Sequence, residues 1–201
     1  MGRIVKLPKV DYTGSMTLEK AMAQRRSRRN FSDEAITLEQ LGQLCWAAQG
    51  KTTPATLGKA GRLKTVPSAG ATYPLELFVA TSEGLFHYLP DGHSIEELTA
   101  KDIRGELAAA AWGQDFIKQA AATYILAAEF ARTTGRYRER GIRYVYMEAG
   151  HAAQNILLEA EALGLGSVVV GAFDDGAAKK VLGLAEKFEP IYMVVVGHCS
   201  K

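Results

Sequence analysis

The chain has 201 residues, 47% of them hydrophobic and 23% charged, proportions that exclude a disordered, collagen-like or disulfide-stapled protein. A chain of this length buries roughly 70% of its unfolded surface, so one domain over residues 1–201, with its own core or one shared in a dimer, is expected. The net charge of +2 selects no partner by itself and moves the question to where the charge sits.

In chain order, Leu18, Ala21 and Met22 recur at helical spacing behind Ser15 or Thr17 as caps, predicting a short helix over 15–24. Thr37 and Gln40 form a capping-box pattern before Leu38, Leu41, Leu44, Cys45 and Ala48, with Gly50 placed to end that helix. Residues 51–65 turn polar and Gly-rich and read as a loop. Leu75–Thr81 and Leu85–Leu89 read as a strand pair around the turn Ser82-Glu-Gly84. Ile103–Trp112 is alanine-rich and favours helix, while Thr123–Phe130 suits either a buried strand or a helix and is read as a strand. Tyr144–Leu163 is the longest helical pattern, with Gly164 at the position of a C′ glycine. Ser167–Ala172 and Ile191–Gly197 are continuous apolar runs that suit strands covered on both faces, giving a mixed α and β domain without repeats.

Cys45 and Cys199 lie far apart and match no zinc spacing, which fits a reducing, cytoplasmic setting. With no apolar signal region at the N-terminus and no stretch near eighteen apolar residues, neither secretion nor membrane spanning is expected. Gly50-Lys51-Thr52 lacks the first glycine of a P-loop, because Cys45 stands there. Gly164-Leu-Gly166 has Val169 in place of the third glycine of a dinucleotide fingerprint and precedes a strand instead of following one. Glu148 and His151 have the spacing of a di-iron ligand pair but no second pair exists, so His151 reads as a partly buried histidine on a packed helix. His87, His93 and His198 offer no metal-ligand spacing either, and no metal site is expected.

Three segments carry chemistry. Arg25-Arg26-Ser27-Arg28-Arg29 packs four guanidinium groups and a hydroxyl into five residues. It reads equally as a solvated charge run, as part of a nucleic-acid surface, or as a compact phosphate site in which paired guanidinium donors grip phosphate oxygens. Val66-Pro-Ser-Ala-Gly-Ala-Thr-Tyr-Pro-Leu-Glu76 is a small-residue loop stiffened by Pro67 and Pro74, in which Ser68, Ala69 and Gly70 let the backbone lie against a flat ligand. The run from Gly164 to Phe173 ends a strand in Gly171-Ala172, whose amides could donate to a ring atom.

Taken together and in order, these motifs resemble the nitroreductase-like family of FMN flavoproteins. The resemblance runs from Leu7-Pro8 through Arg25–Phe31, the helix ending at Gly50, the Pro67–Glu76 loop, Glu148-Ala-Gly-His-Ala-Ala-Gln-Asn155 and Gly164-Leu-Gly166, nearly the whole chain. Within that family the chain is most similar to the branch of azoline oxidases, which aromatise thiazolines and oxazolines in modified peptides.

The resemblance implies an α+β homodimer built on a mostly antiparallel sheet flanked by helices, with FMN at the subunit interface. It implies that Arg25, Arg26, Ser27 and Arg29 hold the phosphate, ribityl chain and pyrimidine edge, that Pro67, Ser68, Ala69 and Gly70 approach the ring from the partner subunit, and that Gly171 or Ala172 offers an amide near the hydride-accepting N5. The implied activity is ping-pong: NAD(P)H reduces FMN, and a flat acceptor such as a nitroaromatic or quinone then takes the electrons, with no nucleophile or Rossmann motif required. Azoline oxidases carry a Lys-Tyr pair where this chain has Arg136-Tyr137; arginine does not serve as a base, while Tyr137 remains a candidate proton donor. For the basic phosphate ligands that many nitroreductases carry beyond the last strand, Lys201, Arg62 and Lys64 are the candidates here. The competing functions are a dehydrogenase of a peptide azoline and a flavin-binding or storage protein with little turnover. A nucleic-acid or membrane partner is not expected, since the phosphate reading already uses the basic run.

Overall fold

The computed structural model describes residues 2–52 and 63–200. In chain order the elements are β1 (Ile4–Lys6), α1 (Leu18–Gln24), α2 (Leu38–Gln49), a 3-10 turn (Ala69–Ala71), β2 (Leu75–Thr81), β3 (Gly84–Leu89), β4 (Ser94–Thr99), α3 (Arg104–Ala110), α4 (Phe116–Gln119), β5 (Ala122–Ala128), α5 (Ala131–Tyr137), α6 (Arg140–Ala162), β6 (Gly166–Val170), α7 (Asp175–Leu182) and β7 (Glu189–Gly197). The strands form one sheet in the order β1-β4-β3-β2-β5-β7-β6, and every neighbouring pair is antiparallel. This is the α+β architecture expected from the resemblance.

Alternation along the central strands divides the core in two. Leu75, Leu77 and Val79 of β2, Tyr124 and Leu126 of β5, and Val194 and Val196 of β7 face α2 and α6. Phe78 and Ala80, Ile125 and Ala127, and Met193 and Val195 face α3 and α7 on the other side. Both faces of these strands are thus dry, which is why their sequences read as unbroken apolar runs despite antiparallel pairing.

Thr37 caps α2 as its sequence predicts: its hydroxyl accepts from the Gln40 amide at 3.2 Å, and the Gln40 side chain accepts from the Thr37 amide at 2.9 Å. Helix α6 buries Val145, Ala149, Ala152, Ala153, Ile156 and Ala160 along one stripe. It ends in a Schellman motif: Gly164, at φ +74°, donates to Glu161 O, and Leu165 donates to Ala160 O at 2.8 Å. The helix begins four residues before the predicted Tyr144. Gly141 lies so close to the α5 backbone that an added Cβ would stand 3.0 Å from Thr133 and Thr134 atoms, so residues 140–143 are helical by packing and not by apolar period. In α1 only Ala21 is buried, whereas Leu18 and Met22 are 57% and 55% exposed, so the predicted apolar face is left uncovered within this chain.

Strands β1 and β4 and helices α4, α5 and α7 have no counterpart in the sequence reading. The predicted loop over 51–65 falls largely on residues 53–62, outside the described residues, as do Arg62 and Lys201. Among the described residues no helix is long and apolar enough to cross a membrane. Replacing Thr37 with Ala removes one half of the capping box and is expected to lower unfolding free energy by about 1 kcal/mol, measured by urea denaturation.

Candidate functional site

Two of the three chemical segments meet along β6. The chain leaves α1 at Arg25, and residues 27 and 28 run extended beside β6: Ser27 pairs with Ser167, and the Arg28 amide donates to Ser167 O at 3.0 Å. The four guanidinium groups then divide their work. Arg26 caps α1, donating from Nη1 to Ala23 O at 2.9 Å and to Arg25 O at 2.8 Å. Arg28 faces Glu161 at 3.6 Å. Arg29 lies 5.9 Å over the Phe116 ring. Neither Arg25 nor Arg29 has a carboxylate partner among the described residues. Two unneutralised guanidinium groups beside an exposed Ser27 suit a phosphate ester. Gly171 and Ala172 follow the far end of the same strand, about 13 Å from Ser167 at strand rise; both are exposed, and Ala172 O accepts from Gln114 Nε2 at 3.0 Å.

The third segment is built elsewhere. Ser68 Oγ accepts from the Tyr73 amide at 2.9 Å, closing the turn that presents Ala69 and Gly70. Gly70 has φ +59°, and a Cβ there would stand 2.5 Å from Tyr137 Oη and 3.1 Å from Arg136 Cζ. Arg136 Nη1 donates to Gly70 O at 3.3 Å and its guanidinium lies 5.5 Å over the Tyr137 ring. The structure therefore joins Tyr137 to the Ser68–Gly70 turn, two features that lie far apart in sequence.

Beneath this turn lies a buried polar cluster that sequence reasoning missed. Glu148 of α6 is 3% exposed, and its Oε1 has no partner among the described residues. Gln49, also buried, accepts from Lys64 Nζ at 2.7 Å while its own Nε2 is unpaired among the described residues. Burial pushes the Glu148 carboxyl up to about 7, against the opposing pull of the Ser68 hydroxyl and the Lys64 ammonium. Burial likewise lowers the Lys64 ammonium, against the attraction of Glu76 and Glu148. Lys64 thus points into this cluster, on the Ser68 side of the molecule and away from the arginines. In the sequence Glu148 opens one of the motifs of the resemblance and forms half of a metal-ligand spacing with His151, neither of which assigns it a role; the one is buried and the other exposed, so His151 is not the partly buried residue expected. Among the described residues no group of three His, Cys, Asp or Glu is placed to hold a metal.

The cluster and the arginines lie at two separate places along α6. Glu148 lies near the Ser68 hydroxyl and Glu161 faces Arg28, and the helical rise between these two glutamates is about 20 Å. Two further clefts, of about 480 Å³ between the start of α2 and the β3–β4 edge and of about 450 Å³ between α1, α2 and α6, contain none of the predicted site residues. Because the folded protein holds a proton on Glu148 from the usual carboxylate range up to about 7 and the unfolded chain does not, this group makes stability fall as pH rises through that window. Glu148→Gln removes that slope, so its melting temperature should gain on the parent's between pH 5 and 8; parallel curves across that range would contradict the burial of an ionisable Glu148.

Comparison with known proteins agrees with this architecture. The profile described as the nitroreductase family matches residues 22–198. Protein MJ1384 of Methanocaldococcus jannaschii, which carries a provisional nitroreductase name, is 41% identical over 199 residues, covering 96% of this chain and 95% of its own. The NADPH-flavin oxidoreductase of Vibrio harveyi is 29% identical over 113 residues, 52% of this chain and 47% of that relative. A crystal structure from Ralstonia eutropha, also provisionally named a nitroreductase, superposes with a TM-score of 0.87 at 30% identity over 99% of this chain and 90% of its own. The chain belongs to the nitroreductase family of oxidoreductases.

Proposed function

We propose that residues 1–201 form one FMN-binding domain of a cytoplasmic homodimer that passes electrons from NAD(P)H to nitroaromatic, quinone or similar flat acceptors in a ping-pong cycle. The observation that carries this reading is the division of the site: the Arg25–Arg29 stretch, with Arg28 against Glu161, lies near the C-terminal end of α6, and the Ser68–Gly70 turn lies nearer its start, by Glu148 and Arg136. Two chains related by a twofold axis would bring the arginines of one to the turn of the other, each supplying one half of the site. The surface for that contact is present. Ile142, Tyr146 and Met147 on α6 are 42%, 54% and 50% exposed, large apolar groups on a helix whose other face is core.

Bound FMN supplies hydride acceptance from the nucleotide and hydride delivery to the acceptor. Arg25 and Arg29, with further donors from Arg26 and Ser27, hold its phosphate and polar edge, and their charge favours the reduced, anionic ring. The Gly171 or Ala172 amide donates at the ring. Pro67, Ser68, Ala69 and Gly70 of the partner subunit bring backbone close to the flat face, where a larger side chain at position 70 would collide with Tyr137. Tyr137 Oη, held at that turn, is placed to give a proton to the reduced acceptor. Arg136 is engaged by Gly70 O and by the Tyr137 ring and keeps its charge, so it offers no base for azoline oxidation.

The purified protein should be yellow, release FMN on denaturation and bleach anaerobically with NADH or NADPH. Yellow protein that does not bleach would point to a peptide dehydrogenase or a flavin store, and protein that stays colourless with excess FMN would end the flavin reading. Arg25→Ala and Arg29→Ala should each weaken FMN binding by about 1.5–3 kcal/mol, the value of a charge-assisted contact, measured by flavin fluorescence titration. Sedimentation should give a dimer, and paired Tyr146→Glu and Met147→Glu substitutions should yield a monomer that no longer retains FMN.

A further inference from the structure

The α5–α6 corner carries a second basic group that the FMN reading does not use. Arg25–Arg29 and Arg136–Arg140 together hold more positive charge than the whole chain's +2, so the remainder is net acidic. At the corner, Arg136, Arg138 and Arg140 are all exposed, and only Glu139 stands among them. Their setting is ordered. Tyr137 and Tyr144 meet edge to face at 5.2 Å, and the guanidinium groups of Arg136 and Arg140 lie over these two rings at 5.5 and 5.8 Å. Arg138 holds φ +52° and ψ −146°, a conformation normally left to glycine, so its charge is carried on a strained backbone.

Two nearby cations are already occupied, while Arg143, exposed one turn further along α6, adds to the charge of the corner. Arg132 is bound to Glu76 at 2.7 Å and to Glu129 at 2.8 Å, and Lys64 is turned inward to Gln49. The reading above requires a dinucleotide that carries at least two negative charges on its diphosphate, yet the sequence has neither a P-loop nor a dinucleotide fingerprint to cradle it, and Arg25–Arg29 are committed to the cofactor. We propose that Arg138 and Arg140, with the free donors of Arg136, bind the diphosphate of the nicotinamide donor while its reactive ring lies at the Gly70 turn. This rests on the flavin oxidoreductase reading and adds to it the residues that select an anionic donor. Planar guanidinium forks take phosphate oxygens in pairs.

The probe is ADP-ribose, which carries the diphosphate but cannot transfer hydride, titrated calorimetrically into the FMN-loaded protein. Arg138→Gly relieves the strained backbone while removing the charge, and Arg140→Gln removes the second. The double variant should bind ADP-ribose at least tenfold more weakly, with a shallower salt dependence, and its KM for NADH and NADPH should rise by a similar factor while kcat changes little. Failure of ADP-ribose to bind the parent, or equal binding by parent and variant, overturns the proposal while the flavin reading stands, provided either nucleotide bleaches the flavin. If neither nucleotide bleaches it, both readings fall. If the variant instead loses turnover with p-nitrobenzoate but not with neutral menadione, and donor binding is unchanged, the corner selects anionic acceptors and the proposal is overturned.

Discussion

The packing of α6 against the sheet is the contact on which the rest of the molecule depends. Its buried stripe sets four alanines, at 149, 152, 153 and 160, among Val145, Ile156 and Leu157, so the helix lies close to the sheet at the alanines and is anchored in the core by the larger side chains. A helix fixed in this way is a rigid ruler of about 34 Å. Glu148 on it supports the Ser68 turn and Glu161 meets Arg28, so the distance between the two halves of the site is set by helix geometry. The Gly141 contact with α5 extends the same logic to the corner that carries Arg136, Tyr137 and Arg140.

Charge is distributed in keeping with that frame. Among the described residues all exposed arginines but Arg3 are gathered in two short stretches, one after α1 and one at the α5–α6 corner, and both lie outside the apolar layers. The acidic residue that matters most is placed oppositely. Glu148 is buried beneath the Ser68 turn, where loss of solvent raises its proton affinity into the neutral range and Lys64 only partly offsets that cost. Two buried polar atoms unpaired among the described residues cost stability, and the cluster that holds them sits under the turn proposed for the flavin face.

Much of this was legible in the residues. The capping box at Thr37 and Gln40, the Gly164 terminus of α6 and the apolar runs of β2, β5, β6 and β7 rest on local rules, and those rules held because nothing at these places opposes them. β4 and α5 were not legible. Ser94-Ile-Glu-Glu-Leu-Thr99 has no clean strand alternation and is extended because β3 and β1 pair with it on both sides. Ala-Arg-Thr-Thr-Gly-Arg-Tyr137 is weak helix sequence, stabilised by close packing on α6 and by the Thr72–Thr133 hydroxyl contact at 2.8 Å.

For the site, the sequence alone determined the residue types: a dense guanidinium cluster, a small-residue loop and a strand end with free amides, in the order of a known family. Those are local properties of short segments, and composition and spacing carry them. Only the tertiary structure decided which guanidinium groups remain free, since Arg26 and Arg28 are taken by partners that the primary sequence does not reveal. It also brought Tyr137 to Gly70 and buried Glu148 beneath Ser68 while leaving His151, three residues on, in solvent. These are contacts between segments more than sixty residues apart, or consequences of which side of a helix meets the sheet, and such facts arise only when the packed layers select one arrangement.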